Sequence, residues 1–325
     1  MMTRTVSKPL FKTLVIVCED SKVTPNYLKG FVKELADEKI WDVIEVYPLP
    51  KPEASTVTNK QPHKSERKKR DLIVVKDEPI IEEEHKQVPV RYVREAQLWR
   101  LERGYDEGWA VYDKDGHPYH AAAYTLSLVE PLVHIAFTSI AIEHWFLLHF
   151  EQNDTPFTKS KDVPLAKHVT GYTSEKKAGT EIFDEIRKTL ELATVNAAWL
   201  RKSTVSELPF YERNPYINID HLIFRLYGYH RVGMSTSISI KHISITPILN
   251  GNDLDVQVEN KSKSAIITDE IKFHSYDGDG QRIVHRFDRE RIDPQNATIF
   301  SFDISEVLQL YIEIHNEIIV VDITI

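Results

Sequence analysis

Residues 13–18, Thr-Leu-Val-Ile-Val-Cys, carry no charge and run directly into Glu19 and Asp20. A strand with one wet face alternates apolar and polar side chains, so a run apolar throughout is covered on both faces. Helices lying above and below a parallel sheet provide that cover, which points to an α/β fold. The next segments agree. Residues 26–39 read as a helix with Tyr27, Leu28, Phe31 and Leu35 on its apolar stripe and Lys29, Lys33 and Glu34 in water. Residues 42–49 read as a second strand.

A charged segment, about residues 51–90, then interrupts the pattern with a basic block at 64–70 and an acidic block at 76–86. So long a stretch without periodicity is expected to be a flexible insertion. Its basic block could meet a phosphate backbone, or be a solvated loop with opposite charges close by. Helical spacing resumes over 88–104, with Val93, Ala96 and Leu98 on the apolar side and Gly104 as the stop. Further helices are expected at 119–131, 141–151, 179–201 and 218–228, with a strand at 132–139.

From about residue 235 the period changes to two. Seven strand candidates follow, beginning with residues 235–248 and ending with 317–325, separated by turn signals such as Asn250-Gly251-Asn252 and Asp277-Gly278-Asp279-Gly280. The expected organisation is an α/β domain at 1–234, with a mostly parallel sheet and flanking helices. An all-β, immunoglobulin-like sandwich at 235–325 would serve as a binding or assembly module.

Composition narrows the classes. The 325 residues are 42% hydrophobic and 28% charged, enough for two soluble domains. One cysteine, Cys18, excludes an internal disulfide framework and a cysteine-rich zinc site. No run is long enough to span a bilayer, and the start lacks the pattern of a signal peptide, so a cytoplasmic location is expected. The net charge of −8 excludes a global basic field, though local basic patches could still hold phosphates.

The sharpest chemical signal is at residues 109–116. Trp109, Ala110, Val111 and Tyr112 lead straight into Asp113-Lys114-Asp115, and Gly116 and Pro118 end the run. Strand alternation puts Asp113 and Asp115 on one side and Lys114 on the other. Two carboxylates so placed repel unless a cation lies between them, and hard oxygen ligands suit Mg²⁺ or Mn²⁺. A solvated turn rich in Asp and Gly is the alternative. Glu19 ends another strand, and ligands of open α/β sheets bind at the carboxyl edge.

Glu after an apolar first strand, then Asp-x-Asp after a later one, is similar to the Toprim arrangement of topoisomerases, primases and OLD-type nucleases. The neighbouring segments 16–31, 105–116, 135–151 and 214–223, in that order, resemble the RloB family, Toprim-like proteins found beside restriction and abortive-infection genes. The resemblance covers roughly residues 12–230. It implies that Glu19, Asp113 and Asp115 form the acidic triad and that Glu143, Trp145, His149 and Phe150 form the third motif. The sequence departs from the family pattern in two places. Asp20 stands where glycine is usual, and Thr138-Ser139-Ile140 replaces Ser-Asn-Pro.

The individual residues carry competing readings. Glu143 lies in the first turn of an apolar helix, where Thr138 or Ser139 could cap and the dipole favours a carboxylate. Its functional reading is a further metal ligand or general base. His149 lies roughly 120° round that helix from Glu143 and reads as structural. Trp145, Phe146, Leu147 and Leu148 read as core. Lys22, Lys159 and Lys161 are the nucleic-acid-binding candidates, with Lys176 and Lys177 weaker ones. Asn214 and Pro215 match the family's Asn-Pro.

The resemblance implies a Mg²⁺-dependent (or Mn²⁺-dependent) nuclease acting on RNA or DNA in bacterial anti-phage defence. Glu19, Asp113 and Asp115 would hold the metal, with Glu19 alternatively an acid or base and Glu143 in support. The resemblance also implies an AAA/ABC-type ATPase encoded nearby as a partner, and any ATP dependence would come from it, since the chain shows no phosphate-binding loop of its own. A homo-oligomer is open on this sequence. A non-catalytic interaction protein is the rival reading, and Asp20 and the altered third motif favour it.

Overall fold

The computed structural model describes residues 13–38, 40–48, 88–114, 116–172, 180–204, 207–251, 253–277, 280–287, 291–303, 309–314 and 317–322. Asp115, Lys176, Lys177 and the charged insertion up to residue 87 lie outside the described residues.

The first sheet has the order β2-β1-β3-β4-β5, from Val43–Pro48 (β2), Thr13–Cys18 (β1), Glu107–Asp113 (β3), His134–Ser139 (β4) and Tyr216–Ile217 (β5). β1 to β4 are parallel, and only β5 runs antiparallel. The apolar runs have the expected cause. Leu14, Ile16 and Cys18 join Trp109, Val111 and Ala136 in one core, while Val17 joins Ala110, Tyr112 and Phe137 in another. Helices Val23–Glu34 (α1), Ile142–Leu148 (α4), Leu190–Ser203 (α6) and Ile219–Leu226 (α7) supply side chains to the first core. Val90–Arg103 (α2) and His120–Ser127 (α3) supply the second.

Local details differ from the sequence expectation. In α2, Val93 and Ala96 are buried but Leu98 is only half-buried. Gln97 is buried instead, its Nε2 donating to the carbonyls of Leu126 and Val129 at 3.0 Å each. Gly104, at φ 70°, ends α2 in the left-handed conformation, as expected. The single helix expected over 179–201 is two, Thr180–Ile186 (α5) and α6, with a 3₁₀ turn at Arg187–Thr189 between them. Arg187 is drawn out to Glu34 by hydrogen bonds of 2.6 and 2.5 Å, and the Thr189 hydroxyl bonds back to the carbonyl of Ile186 at 2.9 Å.

Beyond α7 the chain is rich in antiparallel sheet. Among the described residues one sheet has the order β12-β11-β15-β16-β6 and another β14-β9-β8-β7. The first is built from His230–Val232 (β6), Ile271–Tyr276 (β11), Arg282–His285 (β12), Gln309–Ile314 (β15) and Glu317–Asp322 (β16). The second contains Ile238–Ile240 (β7), Ile243–Asn250 (β8), Asp253–Asn260 (β9) and Ala297–Asp303 (β14). A two-stranded sheet pairs Ile266–Ile267 (β10) with Arg291–Ile292 (β13). Alternate residues of both large sheets, among them Val256, Val258, Phe273, Phe300 and Ile312, form one shared core. β6 pairs parallel with β16, so this region takes its first strand from before residue 235. The outer face of β15 meets the α/β unit, where the rings of Tyr311 and Phe224 lie 5.8 Å apart. Among the described residues no helix is long and apolar enough to cross a membrane.

Candidate functional site

Parallel pairing sets Cys18 opposite Val111, which brings the residues following β1 beside the end of β3. The Glu19 amide continues the pairing to the Val111 carbonyl at 2.9 Å. The Glu19 carboxylate then accepts the Asp113 amide at 2.8 Å. One motif's acid therefore holds the backbone of the other. On the far side, Asp113 lies opposite Thr138 of β4 and accepts its hydroxyl. Lys114 points away, its ammonium donating to the carbonyls of Glu212 and Arg213.

The helix that carries Glu143 starts differently from the sequence expectation. Neither Thr138 nor Ser139 caps α4. The N-cap position is Ala141, and the Ile142 amide donates to Asp113 Oδ2 at 3.3 Å. Thr138 is engaged by Asp113, and Ser139 donates to Asn214 Oδ1 at 2.9 Å. Asn214 in turn donates to the Phe157 carbonyl at 2.9 Å, so it braces the site's wall. Glu143, only 7% exposed, accepts the Tyr172 hydroxyl at 3.2 Å and is also bonded by the Ser160 side chain.

Asp20 has a definite task. Its two oxygens accept the amides of Lys22 at 2.7 Å and Thr24 at 3.0 Å, which satisfies the first turn of α1, where Lys22 supplies no side-chain cap. The carboxylate that replaces the family's glycine is thus a helix cap, and it adds negative charge near Glu143.

These placements set the electrostatics. Burial pushes the Asp113 carboxyl well above its ordinary value, and repulsion from Glu19 and Glu143 adds to this, against the hydrogen bond from Thr138. Burial likewise raises Glu143, with Asp20 contributing repulsion. Among the described residues neither Asp113 nor Glu143 belongs to an ion pair.

Hard carboxylate oxygens crowded in a partly dry site are the donors that Mg²⁺ prefers. Glu19, Asp113 and Glu143 fit that chemistry. As they stand, no three His, Cys, Asp or Glu side chains among the described residues are grouped closely enough to hold a metal ion. Asp113 is also committed through both oxygens to Thr138 and Ile142.

The remaining candidates divide clearly. Lys22 is exposed at the start of α1, and Lys159 and Lys161 are exposed on either side of Ser160, which reaches Glu143. His149 is fully buried, facing the Tyr27 hydroxyl at 3.5 Å and the Thr189 hydroxyl at 3.2 Å, and burial lowers its pKa to about 3. Trp145 donates to the Tyr27 hydroxyl at 2.9 Å within the core, and Phe150 stacks on His168 with centroids 4.9 Å apart. Sequence reasoning missed Tyr172, Ser160 and the buried His144, whose ring nitrogens lie 3.1 and 3.2 Å from the carbonyls of Ser139 and Asn153. It also missed Asn218, whose side chain accepts the Phe137 amide at 2.6 Å and donates to the Ile135 carbonyl at 3.2 Å along β4.

Residues 14–226 match the profile of the RloB-like protein family, well over half of the chain. The chain belongs to the RloB-like family. The match opens within β1 and closes on the last residue of α7, so it takes in Glu19, Asp20, Asp113 and Glu143. A search of curated proteins returns no match.

Proposed function

We propose that this RloB-like chain is a Mg²⁺-dependent nuclease effector of bacterial anti-phage defence, with a Toprim-like α/β domain. The observation that carries this reading is the Glu19 carboxylate holding the Asp113 amide at the carboxyl edge of a parallel sheet, with Glu143 near enough to raise the Asp113 carboxyl. Glu19 and Asp113, with Asp115 following, would hold the ion. Mg²⁺ bound there would polarise a phosphoryl oxygen and activate water for in-line displacement. The chain's own share is positional. The Glu19 carboxylate fixes the end of β3, and Thr138 and the Ile142 amide orient Asp113. Glu143, oriented by Tyr172, supports the site as a proton acceptor or further ligand. Lys22, Lys159 and Lys161 supply phosphate contacts at its rim. The C-terminal sheets, read as an immunoglobulin-like sandwich, serve as a binding or assembly module, and an ATPase encoded nearby is the proposed partner.

The rival is a non-catalytic interaction protein. It draws on the commitment of both Asp113 oxygens to internal donors and on Asp20 serving as a helix cap. The deciding experiment is cleavage of mixed tRNA, single-stranded RNA and plasmid DNA with Mg²⁺ or Mn²⁺, with and without the neighbouring ATPase. Cutting that disappears in Glu19→Ala and Asp113→Ala supports the nuclease and names its substrate. No cutting by wild type, with the ATPase shown to bind, supports the rival.

A further inference from the structure

A second site lies in the C-terminal sheets, beyond the residues that the family match covers. β12 pairs with β11 from Arg282 opposite Tyr276 to His285 opposite Phe273, and then departs. Among the described residues, Ile271 and Lys272 at the start of β11 therefore face no strand on that side. A cavity of about 400 Å³ opens there, a size typical of small-molecule sites.

Its floor is aromatic. Phe287 packs edge-on against Phe300 at 4.9 Å and against Phe273 at 5.4 Å, and all three rings line the cavity. A ring that only filled core would be covered, yet Phe287 keeps 39% of its surface exposed. The rim is cationic. Lys272, Arg282 and Arg286 line it with one carboxylate, Glu313. Among the described residues that line it, three positive charges against one negative leave +2, on a chain whose net charge is −8. Lys272 donates to Glu313 at 2.9 Å, so the arginines set the sign of the pocket. Arg282 hydrogen-bonds the His274 ring at 3.1 Å, and burial together with Arg282 holds that imidazole neutral, at about 4.

An aromatic face stacks nucleobases, and guanidinium groups bind phosphate through paired N–H donors. We propose that this pocket binds a nucleoside phosphate, the base against Phe287 and the phosphate on the adjacent, exposed Arg286, with Arg282 held by His274 on the other face of the strand pair. A bare phosphate site has no use for a half-exposed phenylalanine, and an apolar ligand has none for the arginines. The proposal is independent of the nuclease reading, because none of its residues belongs to the α/β unit. A free nucleotide and the end of a single strand present the same chemistry, and the test separates them.

The test is calorimetric titration of the full-length protein with AMP, ATP, adenosine, inorganic phosphate and a tetranucleotide, at one ionic strength. Phe287→Ala and Arg286→Glu are titrated in parallel, with folding checked by melting. Saturable binding of a nucleoside phosphate is expected, about tenfold or more weaker for adenosine or phosphate alone and for each variant. A mononucleotide that outcompetes the tetranucleotide assigns a free nucleotide, and the reverse assigns a strand end. Should Phe287→Ala fold poorly, the exposed Arg286→Glu carries the comparison. Absence of saturable binding to every probe, or unchanged affinity in folded Arg286→Glu, would overturn the proposal.

Discussion

At the edge of the α/β sheet where the strands begin, acids have partners. Glu107 accepts from Arg225 at 2.7 Å, Glu45 lies 3.5 Å from Arg103, and Asp106 accepts the Thr13 amide at 2.8 Å. At the edge where the strands end, the half-buried Asp113 and the buried Glu143 lie near Glu19 and Asp20, and neither belongs to an ion pair among the described residues. The same sheet thus compensates its carboxylates at one edge and crowds them at the other. Stability alone favours the first arrangement, because neutral donors such as Thr138 and Tyr172 offset the burial of a carboxylate less than a cation does. Crowding that raises carboxyl pKa values is the usual mark of a working site.

Removing a compensated acid should produce the largest loss. Arg201 and Asp220 are fully buried and joined by two bonds of 2.8 Å, with Arg201 also donating to the Ile217 carbonyl at 2.7 Å. Asp220→Ala leaves that guanidinium without its carboxylate and is expected to cost about 3–5 kcal/mol in urea denaturation. Arg201→Met combined with Asp220→Leu should recover most of the loss, since two apolar residues leave no stranded charge.

A smaller effect separates the structural histidine from the acids. His149 is held near 3 by burial, below its value in an unfolded chain, so the unfolded state binds the extra proton. Its contribution is therefore full above roughly pH 6.5 and is lost as the pH falls towards 3, by up to about 1.4 kcal/mol per pH unit. Urea curves at successive pH values should show a shallower acid loss in His149→Gln than in wild type. Equal slopes would contradict the neutral, structural assignment.

Much of the architecture was legible because its causes are local. The unbroken apolar run of β1 required cover on both faces, and alternation placed Asp113 opposite Lys114. The family resemblance then singled out Glu143. What stayed hidden depends on contacts distant in sequence or on turns without signature residues. β7 and β8 read as one strand because their turn uses Lys241 at φ 55° in place of glycine or asparagine. The break between α5 and α6 follows from Arg187 reaching Glu34 across the fold, and no helical period records that. The role of Asp20 is invisible to a motif, because its oxygens accept the backbone amides of Lys22 and Thr24 at the start of α1. Tyr172 and Ser160 reach Glu143 from a later loop, which neither pattern nor spacing foretells.

The smallest shift in stability gives the most direct test of the contrast between the two edges. Melting temperatures of wild type, Glu107→Gln and Glu143→Gln would be measured in chelator and in Mn²⁺. Without metal, Glu107→Gln should melt lower, having lost its bond with Arg225, while Glu143→Gln should melt at or slightly above wild type, relieved of like charge. Mn²⁺ should raise wild type and Glu107→Gln by several degrees, about 2.7 kcal/mol at a hundredfold excess over the dissociation constant, and raise Glu143→Gln much less. No rise in wild type would contradict the assignment of the crowded edge as a cation site, and an equal rise in all three proteins would leave Glu143 as a proton acceptor outside the ligand set.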